Sequence, residues 1–425
     1  MSLSAGFLDR GKVVRAQERN RNREVLVLLD GLPVDFDVPP FIHEGRTMVP
    51  FRAIAEALNV LVEWDDSTRT VTASTGTASQ GGIRVRLQIG NKLADKNGTP
   101  IGLDVPPMIV GGRTLIPVRF FCEAFDCRVS WDEAAYTVRI TSPAKTLEVL
   151  GFYALGDSQT SSWTDLFGKA YPETGTGHTD LVGKLALGWY SLDAQGNLLT
   201  RSRTGWQRPE SWEKVLELSK ERGLETQMVV HVTDQDGTIT SLLGNEAAIA
   251  KAASAIAEES KLYDGVNLDF EGLGWQEEGE RLARTRESFV RFVALLRGYL
   301  KGAGRSLALT LHAPNSAYQG YDYKTLGALA DEIIVMAYDY GTKPEPVDKV
   351  VEAVRMAQQA VPAEKLVLGV SAPSETPQSL LTKVGIAKRY RLRGIALWRL
   401  GLVSDEMWDA LGMTIKRRPT STLVQ

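Results

Sequence analysis

Histidine and cysteine are scarce in this 425-residue chain, four and two residues respectively. His43, His178, His231 and His312 lie far apart, at no spacing that would gather them around an ion, so no metal is expected. Two cysteines neither demand an oxidising compartment nor exclude one. Long apolar runs are missing as well. Nothing approaches the roughly eighteen residues that cross a bilayer, so no membrane span is expected. An excess of basic charge is also lacking: 49 Lys and Arg face 52 Asp and Glu, a formal charge of −3. A nucleic-acid partner needs a concentrated basic surface, and none is expected here. The one basic cluster, residues 10–23, is broken by Glu18, Asn20 and Asn22 and reads as part of a disordered leader spanning 1–23. Residues 1–30 do not form a charged segment followed by an apolar one, so no signal peptide is legible. No phosphate loop or dinucleotide fingerprint occurs, and no cofactor is implied.

What is present is ordinary soluble composition, 43% hydrophobic and 24% charged, over a length that favours more than one domain. An internal repeat supplies the first boundary. Residues 37–74 realign without a gap on residues 104–141, a shift of 67 residues. Each copy runs through Asp-Val-Pro-Pro, Gly-Arg-Thr, Pro-x-Arg, a helix-like stretch, Val-x-Trp-Asp and a Thr-Val strand. Gly45-Arg46-Thr47 suits a turn between short strands, and Pro50 suits the start of a helix carrying Ile54, Ala57 and Leu58 on one face. The unit is α+β, with copies at about 24–75 and 83–142. Cys122 and Cys127 stand where the first copy has Ala55 and Val60, so both read as core filling.

These motifs resemble the copper amine oxidase N-terminal-like family. The resemblance implies a module of exported or wall-bound proteins, and hence cell-wall association through the repeats. It implies no copper here, because His43 is the region's only histidine and its repeat counterpart is Val110.

After residue 145 the pattern changes to short apolar runs alternating with helical stretches. Eight runs occur, at 147–154, 185–191, 226–232, 265–271, 306–312, 332–338, 365–371 and 394–398. Apolar residues recur at three and four between them, most clearly over 245–260, 281–301 and 346–360. Eight such βα units predict an α/β (β/α)₈ TIM barrel over 146–415, followed by a tail at 416–425, with chemistry at the C-terminal ends of the strands.

The fourth run ends Asp264-Gly265-Val266-Asn267-Leu268-Asp269-Phe270-Glu271. Strand alternation turns Asn267, Asp269 and Glu271 to the barrel interior and Val266, Leu268 and Phe270 to the surrounding helices. A carboxylate pair inside a barrel mouth is costly without a purpose. A Glu with a pKa near 4.3 is protonated only about one part in 500 at neutral pH. Asp269, about 6.5–7 Å back along the strand, is expected to raise Glu271 by like-charge coupling, with Asn267 hydrogen-bonding Asp269 from below. Neighbours on one strand cannot flank a glycosidic bond from two sides. If Glu271 is the acid, the nucleophile comes from elsewhere, and a 2-acetamido group on the substrate could supply it.

This run resembles the Asp-x-x-Asp-x-Asp-x-Glu signature of glycoside hydrolase family 18, with Asn267 at the second position. Met336-Ala337-Tyr338-Asp339 closing the sixth strand and Trp398 ending the eighth match further family motifs. The resemblance implies a hydrolase with Glu271 as general acid/base and Asp269 as acetamido-orienting carboxylate. Tyr338 and Asp339 would hold the same group, Asn267 and Met336 would line the substrate site, Trp398 would floor the subsite and Asp264 would give structural support. Run 226–232 lacks the Ser-x-Gly-Gly of true chitinases, and no room remains after Ser371 for their extra α+β insertion. Both departures are similar to the branch of spore-cortex and peptidoglycan glucosaminidases. An extracellular, wall- or spore-associated protein acting on peptidoglycan is therefore expected, with chitin as the second substrate. A glycan-binding lectin and a wall spacer are the non-enzymatic alternatives. Trp189, Trp206 and Trp275 are further candidates for stacking on sugar or packing under loops.

Overall fold

The computed structural model describes residues 24–76, 81–154 and 161–419. The predicted leader and residues 420–425 of the predicted tail lie outside them. The chain separates into two compact units that divide at Pro143 and Ala144. Among the described residues no helix is long and apolar enough to cross a membrane.

The N-terminal unit is not two beads on a string. Strand Leu26–Leu29, at the start of the first copy, pairs in parallel with Thr137–Thr141 at the end of the second. Conversely Arg84–Gln88, which opens the second copy, pairs with Thr70–Ser74, which closes the first. Each copy thus lends its leading segment to the other's sheet. The equivalent strands Arg46–Pro50 and Arg113–Pro117 pair antiparallel, with Val49 opposite Ile116, so a pseudo-two-fold axis passes between them. The repeated Arg and Asp follow that symmetry: Arg46 donates to Asp104 at 2.7 Å, and Arg113 donates to Asp37. One hydrophobic core contains residues from both copies, with Phe51 packed edge-on to Phe121 at 5.3 Å. Cys122 and Cys127 are free and buried in it.

Two grooves repeat with the same symmetry. One, of about 470 Å³, lies between Trp64 with Phe51 and Arg52 on one side and the Gly112-Arg113-Thr114 turn on the other. Its counterpart, of about 430 Å³, pairs Trp131, Val118 and Arg119 with Gly45-Arg46-Thr47. Each groove therefore has one wall from each copy.

The C-terminal unit is a closed barrel of eight parallel strands. They are β1 (Glu148–Tyr153), β2 (Lys184–Leu192), β3 (Glu225–Thr233), β4 (Gly265–Glu271), β5 (Ser306–His312), β6 (Glu332–Met336), β7 (Leu366–Ser371) and β8 (Gly394–Trp398). Neighbours pair in chain order, and β8 meets β1, which meets β2. Helices start where the sequence offers caps: Asn245 accepts from the amides of Ala247 and Ala248, and Thr376 closes a capping box with Ser379. Phe270 points outward and stacks on Phe289 and Phe292 of helix Gly279–Gly302 at 5.8 and 5.5 Å. Between β7 and helix Pro377–Arg389 stands only one short 3₁₀ turn, Ala372–Ser374. Residues just past the last helix still belong to the barrel: Arg418 donates to the carbonyls of Val182 and Gly223, and Arg417 donates to Asp180.

The barrel interior is layered, as strand alternation requires. At the N-terminal pole Lys184 lies within 3.4 Å of Glu148, Glu225 and Glu332. The middle layer is apolar, with Leu150, Phe152, Ala186, Val229, Ala308, Ile334, Val367 and Ala396 in one cluster. Polar residues return at the mouth.

Candidate active site

β4 carries the centre of the mouth. Asn267 and Asp269 are fully buried, and Glu271 ends the strand with its side chain 28% exposed. Asp264, just before the strand, accepts hydrogen bonds from the amide and hydroxyl of Thr226, tying β3 to β4. Asn267 does not reach Asp269. Its amide donates to Gln227 at 3.1 Å and its carbonyl accepts from Thr310 at 2.8 Å. Gln227 continues the chain to Glu332, so Asn267 belongs to a cross-barrel network rather than to a carboxylate ladder. Asp269 is left with one buried oxygen that has no hydrogen-bond partner.

The strand beside β4 supplies a contact to Glu271 instead. His231 on β3 lies opposite Asp269 in the register, and its Nε2 is 3.4 Å from Glu271 Oε1. Among the described residues His231, Asp269 and Glu271 are the one trio of imidazole and carboxylate groups close enough to share a cation, their ligand atoms all lying within 4.8 Å. Nothing in the sequence pairs His231 with Glu271, because strand register is not written in it.

The electrostatics reverse the expected order of the two acids. Burial pushes the Asp269 carboxyl up to about 8; the charge of Glu271 adds to this and that of His231 opposes it. Burial would also raise Glu271, but the hydrogen bond from His231 and the charges of His231 and His312 hold it below its ordinary value. Burial lowers His231, yet its bond to Glu271 and the nearby carboxylates outweigh that and leave it raised. The resting proton of the pair therefore sits on Asp269, the deeper acid, and not on Glu271.

Aromatic residues complete the mouth. Trp398 packs edge-on to Phe152 at 5.3 Å and lies 4.9 Å from Trp206. Trp206 reaches in from the loop after β2 and sits over Gly188, where any side chain would overlap its ring. Tyr338 follows β6, half-buried, with Gly369 of β7 clearing space beside its ring. Burial, followed by the charges of Glu271 and Asp269, raises its hydroxyl. Met336 is buried opposite His312. Asp339 is exposed at positive φ, and its amide donates to Glu345 at 3.0 Å. Buried Lys383 fixes this loop by donating to the Glu345 carbonyl at 2.7 Å while pairing with Glu375 at 3.2 Å.

The remaining tryptophans divide. Trp189 is fully buried between Tyr153 and Trp212 and is core, whereas Trp275 beyond β4 is 57% exposed. Tyr321 was not singled out from the sequence. Its hydroxyl donates to the Phe270 carbonyl at 2.8 Å and so braces the end of β4.

Residues 28–140 match the family described as copper amine oxidase N-terminal domain, and residues 202–375 match glycosyl hydrolases family 18. Over 177 residues the chain is 28% identical to a putative sporulation-specific glycosylase, YdhD, of Bacillus subtilis; the match covers 39% of this chain and 38% of that relative. In fold, it is similar to the Bacillus megaterium spore cortex-lytic enzyme SleL, with TM-score 0.53 and 16% identity over 74% of this chain and 80% of the other. A chitinase from Chromobacterium violaceum shares the barrel with TM-score 0.52 and 19% identity, over 63% of this chain and 98% of that one.

Proposed function

We propose that this chain, which joins a copper amine oxidase N-terminal domain to a glycosyl hydrolases family 18 domain, is a retaining glycosidase. It cleaves β-1,4 bonds next to N-acetylglucosamine in peptidoglycan or spore cortex, outside the cell. The observation that carries this reading is the carboxylate pair on one strand, Asp269 fully buried and Glu271 just above it at the barrel mouth. Two acids so placed cannot attack a sugar from opposite faces, so the substrate's own acetamido oxygen is the nucleophile.

In this scheme sugar over Trp398 brings its acetamido group to Asp269 and Tyr338. The proton passes from Asp269 to Glu271, and the resulting Asp269 carboxylate accepts the acetamido N–H. Glu271 gives the proton to the glycosidic oxygen as that bond breaks and the acetamido oxygen closes on the anomeric carbon. Water then attacks the same carbon, losing its proton to Glu271, and the anomeric configuration is inverted twice. Asp339 borders the same subsite.

Cortex and peptidoglycan are favoured over chitin by the short connection between β7 and the next helix, which leaves no insertion to deepen a chitin cleft. Similarity to a putative sporulation-specific glycosylase and to a spore cortex-lytic enzyme points the same way. The paired grooves of the N-terminal unit, each with a Trp on one wall and an Arg-bearing turn on the other, support retention on the same polymer. Digestion of purified peptidoglycan, spore cortex and chitin side by side, with mass analysis, tests the assignment. Fragments ending in N-acetylglucosamine from the first two are expected. Release from chitin alone would make the protein a chitinase, and tight binding without any release would make it a lectin.

A further inference from the structure

His231 has no role in the scheme above, yet it makes the closest charged contact to the acid. Two elements fix it. From β3 it faces Glu271 on β4, with Nε2 and Oε1 3.4 Å apart, and Asp269, its register neighbour. The strap of residues 202–206 after β2 covers its other side: Thr204 Oγ1 lies 3.5 Å from Nδ1, and the Trp206 ring is 5.9 Å from the imidazole. That strap is itself tied down, since Ser202 bonds Thr204 at 2.9 Å and accepts the Trp206 amide at 2.9 Å. Behind His231, a cavity of about 280 Å³ between the loops after β2 and β3 holds the paired charges of Arg203 and Asp236. His312 on β5 is a second imidazole near Glu271, but burial lowers its pKa and leaves His231 the stronger partner.

We propose that His231 is a positioning residue for the acid: clamped by the strap, it grips Glu271 and keeps that carboxylate ionised and aimed into the mouth until the proton from Asp269 is delivered. Without such a grip, two adjacent buried carboxylates would share their proton in either order, and Glu271 could turn away from the leaving oxygen. Trp206 touches both the imidazole and Trp398. The same strap that sets His231 therefore also borders the platform proposed for the sugar, so acid and platform are held in one frame.

This inference rests on the glycosidase reading, but its first test needs no turnover. The full chain, labelled at the histidine ring carbons, is titrated by NMR as wild type and as Glu271→Gln, with His231→Gln identifying the signal among four histidines. The His231 midpoint is expected to fall by about one pH unit when Glu271 loses its charge. An equal midpoint in both proteins would overturn the proposal, while a shift in a protein that cleaves nothing would retain the grip and sink only the glycosidase reading. In the second test His231→Gln is compared with His231→Ala on soluble oligosaccharide. A kcat lower by about a hundredfold, KM within about twofold and partial recovery in the Gln variant are expected. Both limbs of the pH profile should move to higher pH, because loss of the imidazolium disfavours the ionised carboxylates. A loss of rate with an unmoved profile would reduce His231 to packing and overturn the proposal.

Discussion

The two ends of the barrel bury acids in opposite ways. At the N-terminal pole every carboxylate has a cation: Glu332 and Glu148 each meet both Lys184 and Arg393, and Glu225 meets Lys184, all within 3.4 Å. At the mouth, two carboxylates on one strand share a single imidazole contact. Burial is as complete at both ends, Glu332 being 2% and Asp269 1% exposed. The difference is neutralisation. A neutralised cluster holds strands together, whereas an under-neutralised one favours keeping a proton, and that is the property an acid catalyst needs.

Removing one charge from each end should separate these roles most sharply. Glu271→Gln should lower kcat by about 10²–10⁴ with folding and binding largely kept, measured as turnover and oligosaccharide affinity. Lys184→Met should do the converse. It leaves Glu332 and Glu148 with Arg393 alone in the barrel floor and should cost about 3–5 kcal/mol in denaturant unfolding, with kcat of the folded fraction unchanged. If Lys184→Met abolished turnover without loss of stability, the division between the poles would fail. At the mouth, Trp398→Ala should depress kcat/KM by about ten- to a hundredfold with an unchanged circular dichroism spectrum.

The eight strands were legible because each is a short apolar run bounded by turns, and β4, β5 and β8 begin and end where the runs do. Glu271, Asp269, Tyr338 and Trp398 do meet at one mouth, since strand ends in a barrel converge whatever the loops do. Contacts between strands were not legible. Asn267 finds Gln227 and Thr310 on flanking strands, and His231 finds Glu271, through a register that no single run encodes. The order of the two acids was misjudged for the same reason: a like charge next door was visible, but the depth of Asp269 and the imidazole beside Glu271 were not. In the N-terminal unit the repeat was plain, while the exchange of leading strands, which pairs Leu26 with Thr137, was hidden by separation in the chain.

Stability against pH gives a gentler test of the mouth. A carboxyl raised to about 8 in the folded state costs stability wherever the unfolded chain would ionise it. The penalty starts near pH 4, grows as pH rises towards 8 and then levels off. Asp269→Asn, which cannot ionise, should therefore melt higher than wild type at pH 7–8, by about 2–4 °C for each 1 kcal/mol relieved, and no higher below pH 4. An equal difference at all pH values would mean that Asp269 is not the raised acid. Smallest is the effect expected in the other unit: Trp64→Ala with Trp131→Ala should weaken retention on insoluble wall material several-fold, measured by co-sedimentation, while hydrolysis of small soluble substrate stays the same.

The central claim is that an acid pair on one strand works with the substrate's own acetamido group, and the anomeric form of the first product tests it most directly. Proton NMR during early turnover of an N-acetylated oligosaccharide should show the β-anomer first, with the α-form appearing only as the sugar mutarotates, and a fully deacetylated oligosaccharide should not react. An initial α-anomer, or equal cleavage of the acetylated and free-amine substrates, would contradict the account even if Glu271 proved essential.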